Sequence, residues 1–182
     1  MPGDINKLQK LADEFCFDDV IEDYLSNHNV DRKYADRVLG ELKKWLILCT
    51  LNPVNNYTLV GPVDSLWHTF ILHTRRYHEF CDKLAGRYLH HLPDIPQKIK
   101  TREFKENNKT LVLENGKLPT LPLPQSTVEG YGNLLDDLQV NFPDLWDRDI
   151  WPRINPQGSV QCEGGCCKNA CGGCVGGGSC KT

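Results

Sequence analysis

Apolar residues return at every third or fourth position through most of the stretch from Ile5 to Leu84. Ile5, Leu8, Leu11 and Phe15 repeat at helical spacing, and Val20, Ile21, Tyr24 and Leu25 do so again after a break near Phe17 and Asp18. Such spacing gathers side chains on one helix face, which must be buried against a partner. Asp31 is placed to cap a third helix, with Tyr34, Val38, Leu42 and Trp45 as its buried stripe and Leu39 and Leu46 beside it. Pro53 ends that pattern, and Asn52 to Asn56 reads as a turn. Gly61-Pro62 opens a central helix that the periodicity carries unbroken to Gly86. Leu66, Phe70, His73, Tyr77, Phe80 and Leu84 share its stripe, with Trp67, Ile71, Thr74, His78 and Cys81 on the shoulder. His68, Arg75, Glu79 and Asp82 fall on the polar side, and Asp64 lies in the first turn, where the helix dipole favours a carboxylate.

Beyond Pro93 the pattern changes. Leu111-Val112-Leu113 before Glu114-Asn115-Gly116-Lys117 fits a small hairpin about an Asn-Gly turn. The run Leu118 to Pro124 has a proline every two or three residues, which excludes helix. Ser126-Thr127-Val128-Glu129 has the form of a capping box, and Tyr131, Leu134, Leu135 and Leu138 supply the apolar face of the helix after it. Phe142, Leu145, Trp146, Ile150 and Trp151 form an aromatic terminus expected to pack back on the bundle. The expectation is a mainly α protein: one helical bundle domain at 4–155, an irregular insertion at 96–125, and a flexible Cys/Gly-rich tail at 156–182. That tail holds six of the nine cysteines and eight of the fifteen glycines, with too few apolar side chains to offset the entropy of ordering.

Charge and composition narrow the function classes. A net charge of −3 argues against a nucleic-acid binder, whose affinity rests on neutralising phosphates. Arg75, Arg76, Lys83 and Arg87 are the local basic candidate and read as a solvated face. The polar, acidic start has no signal-peptide character, and nothing approaches the roughly 20 apolar residues of a membrane span. A cytoplasmic location is expected, with a nuclear one as the alternative, and the cysteines are then reduced, metal-bound or redox-active.

Five of the six histidines lie between Gly61 and Pro93. Imidazole is suited to metal binding and to proton transfer near neutral pH. On an intact helix His68, His73 and His78, five residues apart, point away from one another and cannot share an ion. Asp64 and His68, at i and i+4, share a face, and His90 or His91 folding back would complete a mixed Asp/His site for zinc. The competing reading is structural, with His90 and His91 anchoring a turn and His73 a hydrogen-bonded core histidine. His78 is expected at the surface, with Trp67, Tyr77 and Cys81 in the core. In the tail, Cys162, Cys166, Cys167, Cys171, Cys174 and Cys180 contain a C-x-x-C half-site at Cys171-Gly-Gly-Cys174, which fits zinc capture or a redox-labile thiol segment.

The residues Asp64, Trp67 and His68, then Thr74 and Tyr77, then His90-His91-Leu92-Pro93, together with the Cys/Gly-rich end, resemble the glycine-rich domain-containing protein family. That resemblance implies an Asp-x-x-Trp-His helix, a Thr-x-x-Tyr step and a His-His-x-Pro turn as structural motifs. It implies little about function: an RNA association is suggested for larger members of that family, through other regions that are not evident in this sequence. Phe70 stands where many such proteins have histidine, which weakens a metal site centred on the helix. The expected function is a non-enzymatic interaction or regulatory module with a protein partner. A metal-binding protein or metal-dependent enzyme using Asp64, His68, His90 and His91 is the first alternative, and an RNA-associated protein the second.

Overall fold

A computed structural model describes residues 2–90, 123–155, 158 and 160–161. The hairpin expected at 111–117, most of the Pro-rich run, His91, Pro93 and the six tail cysteines lie outside the described residues. Within them the protein is mainly helical, as the periodicity requires. Helix α1 spans Pro2–Glu14, α2 Asp18–Asn27, α3 Arg32–Leu51, α4 Pro62–Leu72, α5 Thr74–Ala85 and α6 Gln125–Asn141. A 3-10 turn at Arg148–Ile150 follows, and Arg153–Ile154 (β1) pairs antiparallel with Val160–Gln161 (β2), so regular structure continues past Pro156.

Helix α3 is the axis of the bundle and packs against α1, α2, α4, α5 and α6. Its start is fixed by Asp31, whose carboxylate accepts from the Tyr34 N–H at 2.7 Å. Val38, Leu42, Trp45 and Leu46 are buried as the stripe demands. On the other side of the bundle five aromatic rings meet. Phe17 stands edge-on to Phe15 and to Phe70, each at 5.0 Å between centroids, and Phe80 and Tyr77 complete the group.

Three expectations need correction. The central helix is not continuous: His73 leaves the helical conformation at φ −76°, ψ 56° and divides it into α4 and α5. The two halves keep the same phase, so the apolar stripe runs across the break and conceals it. No capping box opens α6. Pro124 occupies the cap, its carbonyl accepts from the N–H groups of Thr127 and Val128, and Ser126 is already inside the helix. Leu145 is 61% exposed and takes no part in the aromatic terminus, whereas Phe142, Ile150 and Trp151 are buried. Gly86 does stop α5, in the left-handed conformation at φ 63° that a side chain disfavours.

The C-terminal segment is held to α3 by charge. Arg37 grips Asp147 with two parallel bonds, Nε to Oδ2 at 2.6 Å and Nη2 to Oδ1 at 3.0 Å. The Arg37 guanidinium holds the Asp147 carboxyl below the usual carboxylate range, against a weaker upward push from burial. A depressed carboxylate contributes stability above its unfolded pKa and loses it as pH falls through the folded value. Arg37→Gln is therefore expected to cost about 1 kcal/mol at pH 7, because solvent reaches both partners. The difference from the parent should shrink as pH falls below the ordinary carboxylate value of about 3.9 and Asp147 takes up its proton in both. Urea midpoints measured from pH 7 to pH 2.5 check this, and a constant offset across that range contradicts it.

Candidate functional site

A cavity of about 510 Å³ opens beside α3 and α4. Its floor comes from α3, where Trp45 and Cys49 lie one turn apart on the same face. One wall is α4, with Asp64, Trp67 and His68. The rest comes from two connections, Asn52 to Leu59 after α3 and Arg87 to His90 after α5.

Local sequence explains how each part is placed. Gly61 takes φ 77°, and a Cβ there would stand 2.6 Å from Pro152 Cγ, so only glycine lets α4 begin beside the C-terminal segment. Three residues on, Asp64 is in the first turn of α4. His68 follows one turn later, its Nδ1–H donating to the Asp64 carbonyl at 2.8 Å and lying 3.5 Å from the Asp64 carboxylate. The rim after α5 is pinned by a buried relay. Trp67 Nε1–H donates to the Tyr77 hydroxyl at 3.1 Å, and that hydroxyl donates to the Leu89 carbonyl at 2.6 Å. Burial pushes the Tyr77 phenol far up, so it remains a donor at every accessible pH. Arg87 closes the rim from outside, with Nη2 donating to the Cys49 carbonyl at 3.0 Å.

The connection after α3 is held equally firmly. Tyr57 donates to the Asp137 carboxylate of α6, which also receives the Asn55 amide at 3.1 Å. Burial first, and then the Asp137 bond, push the Tyr57 hydroxyl up to about 12. Gly130 of α6 lies so close that a Cβ there would meet Thr58 Oγ1 at 2.5 Å.

Asp64, His68 and His90 therefore line one cavity, as their spacing implied for the first two. Among the described residues no three His, Cys, Asp or Glu side chains group so as to hold a metal ion. His90 instead faces the Tyr88 ring at 4.9 Å between centroids. The remaining candidates lie elsewhere. His73, at the break between α4 and α5, donates from Nε2 to Asp23 at 3.1 Å. Thr74 is the exposed first residue of α5, and His78 is exposed and paired with Asp82 at 3.1 Å. Cys81 is buried, and burial raises its thiol pKa. The basic group on α5 is dispersed: Arg76 pairs with Asp19, and Lys83 with Glu79 at 2.8 Å.

Sequence reading placed Trp45 in the core and missed its part in the cavity, together with Cys49, Tyr57 and Arg87. The one local signal was the i, i+4 register of Trp45 and Cys49. Nothing local marks the approach of Arg87.

Tyr77→Phe tests the relay. It removes the donor to Leu89 and the acceptor for Trp67, leaving two buried groups unmatched, and is expected to cost about 1–3 kcal/mol. Amide hydrogen exchange should also speed up at residues 87–90. A stable variant with unchanged exchange there would mean that the relay does not hold the rim.

The fold and site define a class: a helical bundle with a mixed aromatic and ionic cavity beside its central helix. The chain matches the UCP032817-like family over residues 7–112, more than half of its 182 residues, and belongs to that family. No curated protein and no solved structure matches it. The family match overturns the expected kinship with glycine-rich domain-containing proteins. Asp64, Trp67, His68, His90, His91 and Pro93 all fall inside the matched span, whereas the Cys/Gly-rich end falls outside it. Those motifs are short, and a few residues at helical spacing recur wherever a helix must bury one face. Among the described residues no helix is long and apolar enough to cross a membrane.

Proposed function

We propose that the domain is a non-enzymatic binding module whose recognition site is the cavity beside α3 and α4. The observation that carries this reading is the cavity's make-up. Two indoles (Trp45 and Trp67) and two phenols (Tyr57 and Tyr88) share its lining with Asp64, His68, Arg87 and His90, around about 510 Å³. The lining is about half polar, with Asn52, Asn55, Asn56 and Thr58 beside the rings, and the volume lies in the range of small-molecule sites.

The titrating groups support binding over covalent chemistry. Burial pushes the Cys49 thiol up to about 12, and a protonated thiol is a weak nucleophile. The His68 ring is oriented by its contact with the Asp64 carbonyl at 2.8 Å and lies 3.5 Å from the Asp64 carboxylate. A regulatory role follows naturally, because the lining joins the ends of α3 and α5 to α4, and an occupant would tie them together.

The test is a fragment titration of the full chain followed by ¹H–¹⁵N spectra, with aromatic carboxylates, aromatic amines and neutral aromatics. Saturable shifts concentrated at Trp45, Trp67 and residues 87–90 are expected from at least one class. If every class leaves those signals in place, or moves only signals on other faces, the reading is wrong.

A further inference from the structure

We infer that the cavity's occupant is a small aromatic acid whose carboxylate is held at Arg87, an assignment that rests on reading the cavity as the recognition site. Three observations converge on it. First, Arg87 has no carboxylate partner among the described residues, whereas Arg32, Arg37 and Arg76 each have one. Its guanidinium is not free to wander, because Nη2 is tied to the Cys49 carbonyl at the cavity wall. The Cys49 thiol beside it is kept neutral by burial and supplies no counter-charge.

Second, the aromatic surface beside it is preset. Trp67 is fixed by its N–H bond to the Tyr77 hydroxyl at 3.1 Å, and Trp45 is buried against it. Third, the indoles of Trp45 and Trp67 meet edge-on at 4.4 Å, and Tyr88 stands on the same lining, so a flat ring finds aromatic surface next to the charge.

A carboxylate fits better than a phosphate. It is planar and carries one charge, which matches the guanidinium fork. Asp64 lines the same cavity and would repel a dianion more strongly.

The probes are phenylacetate, its neutral isostere phenylacetamide, and inorganic phosphate, each titrated to about 20 mM into the full chain at constant ionic strength, a concentration suited to ligands of such small size. The readout is the Trp45 indole N–H signal, assigned by its loss in Trp45→Phe. Phenylacetate is expected to move it saturably, with phenylacetamide at least about tenfold weaker, the scale of one charge-assisted bond. Arg87 is exposed, so Arg87→Gln should keep a dispersed spectrum while reducing phenylacetate to the amide's level, and Arg87→Lys should fall between. Arg75→Gln, on an exposed position outside the lining, should change nothing.

Equal binding of acid and amide, or indifference to Arg87→Gln, overturns the carboxylate assignment while leaving the cavity as a recognition site. Phosphate acting as strongly as phenylacetate overturns it in favour of a general anion site. No response of the cavity signals to either aromatic probe overturns it as well, and the amines and larger neutral aromatics of the wider titration then decide whether the cavity binds anything.

Discussion

Glu41→Ala is expected to destabilise the protein by about 3–5 kcal/mol, the range for removing one partner of a buried charged network. Glu41 is 1% exposed, deep on α3, and every contact it makes runs to a donor. Its Oε1 accepts from the Asp147 backbone N–H at 2.8 Å and from Lys44 Nζ at 2.6 Å, and its Oε2 accepts from Trp151 Nε1 at 2.7 Å. Alanine takes the acceptor from the Asp147 and Trp151 N–H groups and leaves the Lys44 ammonium, whose side chain is 12% exposed, with the Gly40 carbonyl at 3.5 Å. Glu41→Gln separates charge from geometry. A glutamine has one acceptor oxygen, so its amide N–H₂ must face either Trp151 or the Asp147 and Lys44 pair, donor against donor. A smaller loss of about 1–3 kcal/mol is expected for it. Urea unfolding of both variants, with Trp151 fluorescence as a local probe, measures the two values. A Glu41→Ala protein within about 1 kcal/mol of the parent would mean that the segment from Asp147 to Trp151 is not held by this carboxylate.

Glu41 also shows how far the sequence could be read. It lies three residues after Val38 and four before Trp45, inside the apolar stripe of α3, and an acid in such a stripe is a visible anomaly. What it binds was not visible, because Asp147 and Trp151 are over a hundred residues away along the chain. The same division holds throughout. Helices α1 to α3 and their buried faces were legible because burial of one face imposes a local period. The break at His73 was not, since it changes one residue's backbone and leaves the period intact on both sides. Asp64 and His68 could be paired from their spacing. The cavity around them could not, because connections without periodicity form most of its rim. Gly130 in α6 reads along the sequence as a weak helix residue, and only the approach of Thr58 explains it.

Phe70→Ala is expected to cost about 3–5 kcal/mol, with Phe70→Leu costing less than about half of that, because leucine keeps most of the volume. Phe70 is fully buried and meets Phe17 and Tyr77 at 5.0 Å, Phe80 at 5.5 Å and Phe15 at 6.2 Å between centroids. These rings join α4, α5 and the connection between α1 and α2, so one cavity would loosen three parts of the bundle together. Phe70→His is the sharper variant. It places an imidazole among rings that offer it no strong acceptor, so the charged form is disfavoured and its folded pKa falls below the ordinary value. Between the folded and unfolded values the unfolded chain then binds more protons, and stability must fall as pH drops through about 6.5. Phe70→Ala carries no such titration at that position. Unfolding free energies for the two variants at pH 8 and pH 5.5 should therefore diverge with acid, the histidine variant losing at least about 1 kcal/mol more than the alanine one. Parallel pH profiles would show that an imidazole at this position reaches water or a partner, and that the aromatic group is less closed than its ring contacts imply.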